Sequence, residues 1–189
     1  MDKEFINNIE GCRKNNIKYG IYYFSRALNK EDSILEAKKV IAVLHEYLGG
    51  AQISFPIYID VESEEQQKMC LNGEFDDILD AAALEFEKNG FFVGVYCNSS
   101  QVGKSFFDRV KKKYNVWTVH SSSYNDEVSI KAFDPVSVSY VIDYNVGMCQ
   151  YSQKGSCNGI NSNVDIDVAA GYLSEIIEGE NFNRVKRIN

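Results

Sequence analysis

Residues 54–63 read SFPIYIDVES, and this stretch has the pattern of a β-strand that ends in two carboxylates. Side chains alternate between the two faces of a strand. One face therefore carries the aliphatic residues Ile57, Ile59 and Val61, and the other carries Tyr58, Asp60 and Glu62. The two acidic residues are separated by about 6–7 Å along a strand, given a rise of ~3.3 Å per residue. The pattern predicts two like charges on one face, at the end of an otherwise apolar strand.

Strand-like and helix-like segments alternate on either side of this stretch. Four runs are typical of strands: GIYYF at 20–24, PIYID at 56–60, FFVGVYC at 91–97 and NVWTV at 115–119. Apolar stripes predict helices over 2–16, from Asn29 to Gly49, from Phe75 to Phe86 and over 101–113. The first three strand-like runs recur about every 36 residues, which favours β-α units and a parallel sheet. The early half of the chain is therefore predicted to be α/β.

The later part of the chain has a different pattern. Residues 120–166 hold short β-like runs separated by Ser, Asn and Gly: VSVSYVI at 136–142, MCQYS at 148–152 and NVDID at 163–167. After residue 120, only AAGYLSEII at 169–177 has a helical pattern. We expect a β-rich C-terminal third within one domain that covers residues 1–189.

Composition narrows the possible partners. The chain has 27 acidic and 20 basic residues, with no basic patch interleaved with aromatics, which argues against nucleic acid. Its apolar runs are shorter than the ~20 residues that span a bilayer, which argues against a membrane. The N-terminal sequence lacks a signal-peptide pattern, so we expect synthesis in the cytoplasm. Five cysteines without a C-x-x-C pair predict mostly reduced thiols, and two histidines set aside a multi-histidine metal site.

The acidic pair has both a chemical and a structural interpretation. The C-terminal ends of parallel strands form the active-site rim in α/β folds. Two carboxylates held there repel each other, which raises the pKa of one and suits it to general-acid catalysis. Alternatively, one of them caps the next helix or meets solvent. Abundant aromatic residues at rim-like positions favour a carbohydrate cleft: Tyr22, Tyr23, Phe24, Tyr58, Tyr96, Trp117 and Tyr151.

Two other motifs offer competing chemistry. NSSQVGKS at 98–105 differs from a phosphate-binding loop by Asn98 in place of the first glycine, and we interpret Gly103-Lys104-Ser105 as a helix start instead. Cys97 and His120 each follow a predicted strand, as a thiol nucleophile and its base would. No third, orienting residue is evident, so a buried thiol and a rim histidine are the simpler interpretation.

Several blocks, in order and spacing, resemble glycoside hydrolase family 25, the Chalaropsis-type lysozymes found among phage endolysins. These blocks are GIYYFSRALNKEDSILEAKKV, FPIYIDVE, GFFVGVY, YNVWTV and CQYSQKGSCNGINSNVDID. The resemblance extends from Phe5 to about Asp167. It implies an irregular TIM-like (β/α) barrel and a muramidase that hydrolyses the β-1,4 bond between N-acetylmuramic acid and N-acetylglucosamine in peptidoglycan, without a cofactor.

The resemblance also implies roles for individual residues. Glu62 resembles the general acid, Asp60 the carboxylate that stabilises charge on the sugar side, and Asp165 an aspartate on the last strand at the cleft. Five further residues resemble positions that line the sugar groove: Tyr58, Tyr96, Trp117, Gln150 and Tyr151. Action at the cell wall would follow release from the cell.

The chain departs from the family pattern at its start. Family members usually begin with a strand that carries D-[VI]-S and a second strand before the helix that here starts at Asp2. We therefore expect a barrel without about its first two strands, and a homodimer that covers the open sheet edges. A non-catalytic member that binds glycan or another partner is the alternative, and a nucleotide-binding protein is a distant third.

Overall fold

The structure is a computed structural model that describes residues 1–120, 122–131 and 145–187. Its helices are α1 (Phe5–Lys14), α2 (Lys30–Leu48), α3 (Glu64–Asn72), α4 (Asp76–Lys88), α5 (Ser99–Val102), α6 (Lys104–Lys113) and α7 (Gly171–Gly179). Its strands are β1 (Ile21–Phe24), β2 (Ile57–Asp60), β3 (Val93–Tyr96), β4 (Asn115–Val119), β5 (Glu127–Ser129), β6 (Val146–Ser156) and β7 (Val164–Ala169).

The described strands form one sheet in the order β1-β2-β3-β4-β6-β5, and β7 pairs with β6. The pairs along this path are parallel, whereas β7 runs antiparallel to β6. The predicted α/β class with a parallel sheet and a β-rich later part is confirmed. The predicted strand at 136–142 lies outside the described residues.

Helix α2 shows why the sequence folds locally as it does. The Asn29 side chain accepts a hydrogen bond from the Asp32 backbone N–H at 2.8 Å, which caps the first turn. Ala37, Ile41, Leu44 and Leu48 follow at helical spacing and are buried. This stripe packs against α4, whose buried residues include Ala82 and Phe86. Both predicted helices are confirmed.

The two faces of the sheet have different environments. The face that carries Ile57, Ile59 and Val95 packs against the helices and forms the main apolar core. The opposite, inner face carries aromatic and polar side chains. There the ring centroids of Tyr22 on β1 and Trp117 on β4 are 5.8 Å apart, although three strand spacings would separate these strands by about 14 Å in a flat sheet. The sheet is therefore strongly curled, and its inner-face side chains converge, as in a barrel.

Some elements differ from the predictions. The strand at 54–63 is shorter than predicted, since β2 ends at Asp60 and Glu62 follows it. Helix α3 was not predicted, because its polar sequence buries only Gln66 and Cys70. Strand β1 lies at one end of the described sheet path, with Tyr22 and Phe24 exposed, and the predicted homodimer stays a prediction.

The segment after α7 closes the sheet at the end opposite the carboxylates. Asn183 is fully buried there. Its side-chain amide donates to the Phe55 carbonyl at 2.8 Å, and its side-chain oxygen accepts from the Phe92 N–H at 2.7 Å. One asparagine thus satisfies backbone groups next to both β2 and β3.

In the described part of the chain, no helix combines the length and the apolar character that a membrane span requires.

Candidate active site

Asp60 lies on the inner face of the sheet, at the C-terminal end of β2. It sits in register between Phe24 on β1 and Tyr96 on β3. The residue is 5% exposed, and no donor among the described residues reaches its Oδ1 atom. Burial, and secondly the charge of Glu62, raise the pKa of Asp60 to about 7. This carboxyl group therefore keeps its proton to a higher pH than an ordinary aspartate does.

Glu62 follows two residues after Asp60 and is half-buried. The Val61 N–H donates to the Tyr96 carbonyl at 3.0 Å, so the chain stays extended beyond β2. The side chains of Asp60 and Glu62 therefore project to the same side. Burial raises the pKa of Glu62, polar interaction with the Tyr96 side chain lowers it, and the nearby charge of Asp165 raises it. Asp165 thus approaches Glu62 from a different strand.

Strand β7 supplies two carboxylates to this region, Asp165 and Asp167. The sequence predicted Asp165, which the structure brings close to Glu62 and Tyr22. Asp167 was missed, although the alternation of NVDID puts both aspartates on one face. The Asp167 side chain is exposed and lines an open cleft of about 300 Å³. Its partial desolvation raises its pKa to about 7.

Trp117 is the centre of an aromatic cluster beside these carboxylates. Three tyrosine rings meet the indole edge-on, at centroid distances of 4.7, 5.4 and 5.8 Å for Tyr96, Tyr58 and Tyr22. The half-exposed indole is therefore supported on several sides by packed rings. Such a surface suits the apolar face of a sugar ring.

Three of the predicted groove residues lie beneath the accessible surface. Tyr58 is 2% exposed, and Tyr96 and Gln150 are each 5% exposed. The Tyr58 hydroxyl donates to Asn115 at 2.8 Å, and the Tyr96 hydroxyl donates to Gln150 at 2.8 Å. They pack into a layer beneath Trp117, and their direct contact with sugar stays a prediction.

Tyr151 lies at a register irregularity of β6, between Gln150 and Ser152. Its ring stacks on His120, with centroids 5.5 Å apart. Its expected contact with sugar stays a prediction.

Tyr124 is a site residue that the sequence did not indicate. It lies in the turn between β4 and β5, and the charges of Asp165 and Glu62 raise the pKa of its hydroxyl, after a larger contribution from burial. Turn residues carry no periodic signal, so its approach to the carboxylates was not predictable.

Gly94 leaves the space that Tyr58 occupies on the inner face. A Cβ atom at position 94 would lie 2.3 Å from Cε1 of Tyr58 and 3.1 Å from the Asn115 carbonyl oxygen. We therefore expect Gly94→Ala to displace Tyr58, to break its hydrogen bond to Asn115 and to lower the free energy of unfolding by about 1–3 kcal/mol.

Urea unfolding measures this effect, and Gly11→Ala is the matched control. Gly11 lies in α1 with no atom within 4 Å of its Cβ position, so alanine there should stabilise by about 0.5–1 kcal/mol. Equal stability of Gly94→Ala and the parent chain would contradict the packing described for Tyr58.

The two competing motifs lack the geometry that they require. Residues 99–102 form α5, and the N–H groups of Gln101 and Val102 bind the Asn98 carbonyl instead of facing a phosphate. The predicted helix start at Lys104 is confirmed. Cys97 is fully buried in the apolar core on the outer face, and burial raises the pKa of its thiol. A buried neutral thiol is a poor nucleophile.

Comparisons with known proteins agree with this fold. The model of glycosyl hydrolases family 25 matches residues 1–160, and no curated protein sequence matches significantly. The modular autolysin LytC from Streptococcus pneumoniae has a similar structure (TM-score 0.66, 23% identity), with 89% of this chain and 38% of LytC covered. LytC has also been solved with a synthetic peptidoglycan ligand.

Two further solved structures are similar. One is the catalytic domain of endolysin ply40 from bacteriophage P40 of Listeria monocytogenes, with a TM-score of 0.62, 18% identity, and 94% of this chain and 80% of that domain covered. The other is the spore cortex lytic enzyme SleM of Clostridium perfringens, with a TM-score of 0.60 and 18% identity. The match covers 90% of this chain and 55% of SleM.

The described strands make this an α/β protein with a curled, mainly parallel sheet and carboxylates at the C-terminal end of that sheet. The chain belongs to glycosyl hydrolases family 25. It spans about two fifths of the length of LytC.

Proposed function

We propose that this chain is a peptidoglycan muramidase that hydrolyses the β-1,4 bond between N-acetylmuramic acid and N-acetylglucosamine. The observation that carries the proposal is the grouping of Glu62 with Asp60 and Asp165, next to the aromatic surface of Trp117. The peptidoglycan ligand bound by LytC supports the choice of substrate. The described residues act within one lysozyme-like domain.

Glu62 is the general acid. It is the more accessible member of the acidic pair, so it can reach the glycosidic oxygen, whereas Asp60 lies beneath it. Glu62 gives its proton to the leaving oxygen as the bond from that oxygen to the sugar carbon breaks. Water then adds to the sugar carbon and returns a proton to Glu62.

Asp60 and Asp165 stabilise the positive charge that develops on the sugar in the transition state. Asp60 acts on the sugar directly or through the substrate's own N-acetyl group. Because the two members of the acidic pair interact, they titrate together, and one proton is shared between them below about pH 7. Glycan in the cleft removes water from Glu62, which favours the proton on that residue.

The bond that is cleaved tests the proposal. Purified peptidoglycan is digested with the chain, the new reducing ends are reduced with borohydride, and the products are analysed by mass spectrometry. A muramidase leaves reduced N-acetylmuramic acid at the new ends. Reduced N-acetylglucosamine would instead indicate cleavage of the other glycosidic bond.

The same experiment separates an enzyme from a binding module. Co-sedimentation with insoluble peptidoglycan, without any new reducing end over a pH range from 4 to 8, would contradict catalysis and favour the glycan-binding alternative.

A further inference from the structure

Asp167 makes a hydrogen bond that links β7 to the aromatic cluster. The indole N–H of Trp117 donates to Oδ1 of Asp167 at 2.9 Å. The indole N–H is the only hydrogen-bonding group of a tryptophan side chain, and this bond satisfies it. The rings around Trp117 meet it edge-on and restrict its position by packing. Asp167 is therefore the polar contact that sets the rotation of the indole.

The position of Asp167 in the sheet explains how its carboxylate reaches Trp117. Asp167 pairs with Gln150 on β6, and β6 lies between β7 and β4. The carboxylate thus reaches across one strand to Trp117. It also lines the open cleft together with Tyr58 and Met148, so the contact lies where the inner face meets water.

We propose that Asp167 is a positioning residue, which holds the indole of Trp117 in the orientation that receives a sugar ring beside Glu62. This proposal rests on the proposed function and adds a residue whose own contact is with Trp117 and not with the reacting atoms. Loss of the contact lets the indole rotate, so it weakens glycan binding more than it slows the chemical step.

The ionisation of Asp167 changes the strength of this contact. A carboxylate accepts a hydrogen bond more strongly than a neutral carboxyl group. Partial desolvation raises the pKa of Asp167 to about 7, the Trp117 hydrogen bond lowers it, and Asp165 raises it. The other titratable groups that interact with it are Tyr58 on β2 and Tyr96 on β3, together with Cys149, which pairs with Val168 on the opposite face. Lys18 lines the same cleft. The contact therefore strengthens as the pH rises through about 7.

Trp117 is the only tryptophan in the chain, so intrinsic fluorescence reports on this indole alone. The emission of the parent chain should change with a midpoint near pH 7, and Asp167→Asn should abolish that change while it retains an acceptor oxygen. Asp60→Asn and the surface variant Asp108→Asn should both keep the titration. A persistent titration in Asp167→Asn would overturn the proposal.

Kinetics supply the second measurement. Asp167→Leu removes the acceptor with little change in size, and we expect its KM for solubilised glycan strands to rise about tenfold with kcat nearly unchanged. Asp167→Asn should restore most of the affinity. A parent-like KM in Asp167→Leu would overturn the proposal, as would an equal loss in both variants.

The two measurements distinguish this proposal from the proposed function. The fluorescence titration needs neither substrate nor turnover, so it tests the contact even if the chain cleaves nothing. In that case the dissociation constant for the same glycan, measured by Trp117 fluorescence, replaces KM.

Discussion

Glu62→Gln should lower the rate of reducing-end release from peptidoglycan by about 10²–10⁴-fold, the usual contribution of a general acid. Glutamine has the size of glutamate but has no acidic proton to give to the leaving oxygen. Glu62 is half-buried and does not form the core, so the folded chain should persist. Glycan binding should persist as well, because Trp117 and its supporting rings are unchanged.

Glu65→Gln is the matched control for this substitution. Glu65 is exposed in the first turn of α3, three residues after Glu62. The Glu65→Gln variant has the same chemical change at nearly the same place in the chain. Its rate of reducing-end release should stay within about twofold of the parent, because surface substitutions usually have small effects. Equal rates for Glu62→Gln and Glu65→Gln would contradict the role of Glu62.

Asp60→Asn should reduce the rate by about 10²–10³-fold, since it removes a charge that stabilises the transition state. The same substitution should stabilise the fold at alkaline pH. Folding raises the pKa of Asp60 from 3.8 to about 7, so between these values the folded state binds more protons than the unfolded state. The stability of the parent chain therefore falls as the pH rises through that window.

The expected gain in stability follows from this shift. An increase from 3.8 to about 7 corresponds to at most about 4 kcal/mol, and relaxation around the site reduces this to roughly 2 kcal/mol at pH 8. Urea unfolding at pH 5 and pH 8 measures the gain, which should be larger at pH 8. Asp108→Asn, on the exposed surface of α6, should show no such difference. An Asp60→Asn gain that is equal at both pH values would show that burial of the charge is not its cause.

Much of the fold was predictable because its elements have strong periodic signals. Helix α2 combines an Asn29 cap with four buried apolar residues at helical spacing, and β4 matches the predicted run at 115–119. Helix α3 lacks such a stripe. In the structure Ser63 caps it, but a helix that buries a glutamine and a cysteine cannot be recognised by hydrophobic periodicity.

The site was predictable in part, for a related reason. Strand alternation and the family resemblance together pointed to Asp60, Glu62 and Asp165. The depth of Tyr58 and Tyr96 depends on how strongly the sheet curls, which is set by contacts between distant strands and leaves no trace in local sequence. The alternation of side chains along NVDID was sufficient to predict Asp167. Its hydrogen bond to Trp117 on β4 was not predictable, because that bond joins distant strands.

The buried amide of Asn183 has a consequence for the order in which the molecule assembles. Strands β1 to β4 pair with neighbours in sequence, so they close short loops and can form early. The hydrogen bond from Asn183 to Phe55 joins residues 128 positions apart. An intermediate that already has the first four strands therefore still carries unpaired backbone groups at Phe55 and Phe92. The acidic pair at the end of β2 can take its place with these four strands, whereas the opposite end of the sheet is completed only when Asn183 docks.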